Sequence, residues 1–121
     1  MMNTSEYADM VSMLIRATDY KKLSWTESEN NFTAKVGECS IQLSIYYDTS
    51  LNINEYILTL FNSNGDKFET FNYNETDSEY SQLDTLYNSI RDSIYHITES
   101  EKDIMDSLQN MTKDIPDDLP F

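Results

Sequence analysis

The sequence predicts an α+β domain: an N-terminal helix, a four- or five-stranded antiparallel meander sheet, two C-terminal helices packed on one sheet face, and a short disordered acidic tail. Three observations carry this. Apolar residues before position 20 recur with a helical period, the stretch from 24 to 73 alternates with a period of two between turn signals, and the helical period returns from 80 to 111. The 121 residues suffice for one domain with a single core, placed at residues 1–112, with 113–121 left as an extended acidic docking peptide.

The first helix is expected over residues 5–20. Tyr7, Met10, Val11, Leu14, Ile15 and Thr18 form an i, i+3, i+4, i+7 stripe, and Asn3 with Glu6 has the spacing of a capping box. A short strand fits around Trp25. Phe32, Ala34 and Val36 alternate within 31–37, and Cys39, Ile41, Leu43, Ile45 and Tyr47 alternate against Ser40, Gln42 and Ser44 within 39–47. Both read as strands with one buried face, joined by a tight turn at Gly37-Glu38. Residues 55–62, with Tyr56-Ile57-Leu58-Thr59-Leu60-Phe61, are apolar on both faces and suit an inner strand. Asn64-Gly65 supplies the positive-φ pair of a type I′ hairpin turn, and 67–73 returns.

Thr76 with Glu79 has capping-box spacing ahead of a helix over 79–97, carrying Tyr80, Leu83, Leu86, Tyr87, Ile90, Ile94 and Ile97 on one face. Thr98 with Glu101 repeats that signal ahead of Ile104, Met105, Leu108 and Met111. Residues 39–47 are expected to pair antiparallel and to bury Ile41, Leu43 and Ile45 beneath the helices at 5–20 and 79–97.

The charge is uneven. Eight basic against 22 acidic residues give −14; residues 1–68 carry nine acidic and five basic residues, residues 69–121 thirteen and three. Such a field repels phosphate backbones and anionic membranes and favours basic partners. No stretch approaches 18 apolar residues and the Met-Met-Asn-Thr-Ser-Glu start has no apolar leader, so neither secretion nor membrane insertion is expected. The single cysteine, Cys39, excludes an internal disulfide and is expected to be a buried, inert thiol; the compartment expected is the cytoplasm.

Asp114-Ile115-Pro116-Asp117-Asp118-Leu119-Pro120-Phe121 reads as a peptide suited to being bound. Pro116 and Pro120 oppose helix and restrict the segment to extended conformations, which lowers the freedom lost on capture. A Phe121 ring can fill an apolar pocket while its carboxylate meets an Arg or backbone amides, and Asp117 and Asp118 can meet a basic rim. By chance, Asp-Asp-(Leu or Ile)-Pro-Phe at a terminus arises on the order of once per million chains. These residues resemble the C-terminal tail of bacterial single-stranded DNA-binding proteins, whose acidic run and terminal Pro-Phe dock onto replication, recombination and repair enzymes. The resemblance covers the tail alone and implies partner binding through Asp117, Asp118, Leu119, Pro120 and Phe121. It departs from the family in having only a few residues between the last helical pattern and the tail, where the family has a nucleic-acid-binding domain and a long linker.

The body does not read as that family's domain. An OB-fold normally inserts a helix between its third and fourth strands, and no helical pattern interrupts 24–73. Strand-region aromatics (Trp25, Phe32, Tyr46, Tyr47, Tyr56, Phe61, Phe68, Phe71, Tyr73) could stack bases, yet Lys35 and Lys67 are the only basic residues between 23 and 90. Core or protein-contact roles are expected instead. His96, with Asp92 and Glu99 near it, reads as a solvated histidine rather than a metal ligand. No nucleophile motif, phosphate loop or cofactor signature is present, so no enzyme activity, metal or cofactor is expected.

The function expected is that of a non-enzymatic acidic protein of DNA replication, recombination or repair, with a phage or mobile element as one origin. It would dock through its tail onto enzymes with a basic-rimmed apolar pocket, as recruiter or competitor. One alternative is an acidic inhibitor mimicking nucleic acid through Glu75, Asp77, Glu79, Asp84, Asp92, Glu99, Asp103 and Asp106. Another is an atypical single-stranded DNA binder, disfavoured because counterion release would contribute little.

Overall fold

The computed structural model describes residues 2–116. Helix α1 (Thr4–Asp19) begins as its sequence dictates: Asn3 Oδ1 accepts from the Glu6 N–H at 2.8 Å, and Glu6 Oε1 accepts from the Asn3 N–H at 3.5 Å. Two N–H groups that the first helical turn leaves without intrahelical partners are thereby satisfied. Five strands follow: β1 (Trp25–Ser28), β2 (Asn31–Val36), β3 (Cys39–Asp48), β4 (Ile53–Phe61) and β5 (Lys67–Asn74). They pair antiparallel in sequential order, the expected meander with all five strands present. Helices α2 (Tyr80–Tyr95) and α3 (Ile97–Thr112) complete the α+β order.

Register divides the sheet into two chemically different faces. The rows Phe32–Leu43–Leu58–Phe71 and Trp25–Ala34–Ile41–Leu60 lie beneath α1 and α2. One residue along, Thr26–Thr33–Gln42–Thr59–Thr70 crosses all five strands on the other face. The core joins the first face to Tyr7, Val11 and Leu14 of α1 and to Leu83, Leu86 and Ile90 of α2. Ile41 and Leu43 are buried as expected, and Ile45 is partly buried against the same cluster.

Polar groups inside this core are mostly paired. The Trp25 indole N–H donates to Thr18 Oγ1 at 2.9 Å, and that hydroxyl donates to the Leu14 carbonyl at 2.7 Å. Tyr56 donates to Asp84 Oδ1 at 2.6 Å, tying β4 to α2. Gln82 Nε2 reaches the Ala8 carbonyl at 2.9 Å and Ser12 Oγ at 3.0 Å, tying α2 to α1. The Tyr7 hydroxyl is buried with no hydrogen-bond partner among the described residues.

Several local expectations are corrected. Cys39 is exposed, because it and Val36 flank the Gly37-Glu38 turn at a hairpin tip that outruns the helices above. Asn64-Gly65 does not form a type I′ turn. Among residues 62–66 only Gly65 has positive φ (+86°), the Gly65 N–H donates to the Asn62 carbonyl, and Asn62 Oδ1 accepts from the Asn64 and Asp66 N–H groups. The loop is a side-chain-braced turn with one left-handed glycine, and the ladder shifts register at Leu60/Phe61.

Neither later capping box forms. The Thr76 hydroxyl turns back to Asn74 Oδ1, and α2 opens at Tyr80 after a Glu79 with no side-chain cap. Thr98 is already inside α3 and both its N–H and hydroxyl donate to Asp92. The break falls at His96, so Ile97 belongs to α3. The largest departure concerns packing: α1 and α2 cover the sheet face, whereas α3 buries no residue and leaves Ile104, Met105, Leu108 and Met111 exposed.

Candidate interaction surfaces

The five residues expected to bind a partner, Asp117, Asp118, Leu119, Pro120 and Phe121, lie outside the described residues. The helix that leads to them is well defined at its root. His96 adopts the left-handed conformation (φ 51°, ψ 45°), ending α2 and turning the chain into α3. Asp92 Oδ1 accepts from the Thr98 N–H at 2.7 Å and its hydroxyl at 2.8 Å, and these bonds hold the Asp92 carboxyl below the usual carboxylate range. Glu99 lies 3.4 Å from Lys21 Nζ, just past the end of α1, and 3.8 Å from His96 Nδ1. Beyond this polar root the helix runs about 20 Å with its apolar residues uncovered, and Lys113–Pro116 are exposed.

The carboxylates expected to imitate nucleic acid are spread over three elements, and most serve local structure. Glu75 accepts from the Asn54 N–H and Asp77 from the Asn74 N–H, closing the approach to α2. Asp84 is half-buried on Tyr56, Asp92 is taken by Thr98, Glu99 by Lys21 and Asp106 by Lys102 at 3.0 Å. Glu79 accepts from the Ser78 hydroxyl, whereas Asp103, exposed on α3, has no such bond among the described residues. The acids are therefore braces as much as a field.

The strand aromatics divide by face. Trp25, Phe32 and Tyr56 are buried, and Phe71 and Tyr73 pack on Tyr7 at centroid distances of 4.6 and 5.4 Å. Exposed Tyr46, Tyr47 and Phe68 are scattered over β3 and β5 and make no platform; the open face is instead the threonine and glutamine row. A continuous row of rings on which successive bases could stack is thus missing from the described open face.

His96 is exposed, with the Glu99 carboxylate within ion-pair distance of its Nδ1. No group of three or more potential metal ligands forms among the described residues. No described helix is long and apolar enough to cross a membrane.

A surface not foreseen from sequence lies on the outer side of α1. Met13, Ala17 and Tyr20, spaced i, i+4, i+7, line a shallow apolar groove with Arg16 and Lys22. Met13 and Tyr20 are 64% and 70% exposed, and the basic side chains concentrate three of the eight in the chain (with Lys21) at one helix end. The signal was readable: this second stripe sits beside the buried one and interleaves bases with apolar residues.

The fold and its surfaces define a small acidic α+β protein with a covered sheet and a protruding amphipathic helix. Comparison with protein-family models, curated proteins and solved structures finds no match for the chain.

Proposed function

We propose that this is a non-enzymatic acidic protein of DNA metabolism that docks through Asp117, Asp118, Leu119, Pro120 and Phe121 onto enzymes recognising the tails of single-stranded DNA-binding proteins. The observation that carries the reading is the sequence of those residues. The exposure of Lys113–Pro116, the residues that lead to them, is compatible with docking. The scattering of the exposed aromatics supports protein rather than base recognition.

The test is competition: a purified bacterial enzyme that binds such tails, loaded with a fluorescent tail peptide, is titrated with the full chain. Displacement by the intact chain is expected. Removing Phe121 should weaken it by at least ~2 kcal/mol, roughly 30-fold, since ring and carboxylate leave together. Asp117→Asn with Asp118→Asn should weaken it modestly and flatten its salt dependence. If a chain ending at Thr112 competes as well as the intact one, the tail reading is wrong and the acidic folded surface becomes the candidate. A micromolar complex of the body with oligo-dT at physiological salt would instead favour direct single-strand binding.

A further inference from the structure

Two amphipathic faces of this molecule are left uncovered, and they are complementary. On α3, Ile97, Ile104, Leu108 and Met111, continued by Ile115, recur at spacings of seven, four, three and four, a single stripe down one side of the helix. Ile104, Leu108 and Met111 are 59%, 49% and 72% exposed. On α1, Met13, Ala17 and Tyr20 form the second stripe. Scattered apolar residues on a surface need no explanation, but two ordered stripes on one small acidic protein do.

Charge says what each stripe fits. Glu101 lies beside the α3 stripe, whereas Lys102 and Lys113 fall on the opposite side of the helix. The α1 stripe has Arg16 and Lys22 at its C-terminal end and Glu6 and Asp9 toward its N-terminal end. An antiparallel crossing of α3 over α1 places Glu101 beside Arg16 while the apolar residues meet. Pairing two α3 helices in parallel would instead set Glu101 against Glu101 inside the seam.

We propose that the occupant of the α1 groove is α3 of a second copy of this chain, the two molecules exchanging helices about a two-fold axis. The Lys21–Glu99 ion pair roots α3 beside the C-terminal end of its own α1 without laying it in the groove, so the groove and the helix that matches it start side by side. A two-fold axis there makes the contact isologous: each copy gives one helix and receives one. Two contacts then form for one loss of rotational and translational freedom, which moves the interface toward the ~1,200–2,000 Å² that stable pairs bury. Exchange also answers how a chain of charge −14 pairs with itself, since the meeting surfaces are its acidic helix and its main basic cluster.

Sedimentation equilibrium of the full chain at ~100 μM in 0.15 M salt tests this. A dimer is expected, and Leu108→Asp and Met13→Asp, both at exposed positions that the fold does not need, should each lower the association constant at least 30-fold. Arg16→Glu should weaken the dimer, and adding Glu101→Arg should restore it. A wild-type monomer at that concentration overturns the proposal. So does a Met13→Asp variant as dimeric as wild type, which would mean α3 pairs with itself, or a failure of the charge swap to restore association. A chain ending at Pro116, which keeps the whole stripe, should remain dimeric; if it is monomeric, the groove holds the tail instead. The outcome is independent of tail docking, which the competition experiment reads separately.

Discussion

The body and α3 are both made of amphipathic segments, but only in the body does each apolar face find another. Leu83, Leu86 and Ile90 of α2 are fully buried between α1 and the sheet, while Ile104, Leu108 and Met111, at comparable spacing one helix later, are largely exposed. The two helices differ little in pattern. What differs is supply: the sheet has one apolar face, and α1 and α2 already cover it. A period of 3.6 reports that a helix has an apolar side, not what will cover it.

The largest effect is expected from Leu86→Ala, which leaves a cavity where α2 meets the sheet and should cost ~2–5 kcal/mol in urea unfolding. Next, Tyr56→Phe removes the bond to Asp84 and leaves a half-buried carboxylate without that donor, a loss of ~1.5–3 kcal/mol.

A smaller change of opposite sign is expected at Tyr7, whose buried hydroxyl has no partner among the described residues: Tyr7→Phe should stabilise by about 1 kcal/mol. Burial also raises the Tyr7 and Tyr56 phenols above their ordinary value, with the Asp84 bond adding to the effect at Tyr56. The folded state therefore keeps protons that the unfolded state releases above its tyrosine pKa of about 10, so stability is intact below that pH and declines above it. Tyr7→Phe should make that alkaline decline shallower, read as the urea midpoint against pH from 9 to 11. Smallest of all, Ile104→Ser in dilute, monomeric protein should shift the unfolding midpoint by less than about 0.5 kcal/mol. A cost near that of Leu86→Ala would show that α3 packs on the body after all.

Much of the fold was legible because local and global signals agree there. The alternation in 39–47 and the double-sided apolar run at 56–61 follow from a sheet with one covered face, and Asn3 with Glu6 capped α1 as read. The signals that misled are those with a competitor in space. Thr76 and Thr98 had capping-box partners in sequence, but Asn74 and Asp92 took their hydroxyls first. Cys39 shares its alternation with Ile41 yet lies beyond the reach of the helices, since the period gives the face of a strand and not how far its cover extends. Of the interaction surfaces, the tail stood out by residue identity alone, whereas the α1 groove was hidden because its stripe adjoins a stronger, buried one.

Trp25 is the single tryptophan, and its indole is held in the core by Thr18. Intrinsic fluorescence will therefore follow the dissolution of α1 from the sheet and be blind to fraying of α3, while circular dichroism sums both. Optical melting curves recorded by the two methods should separate, and the gap would measure α3 loosening from a body that is still folded.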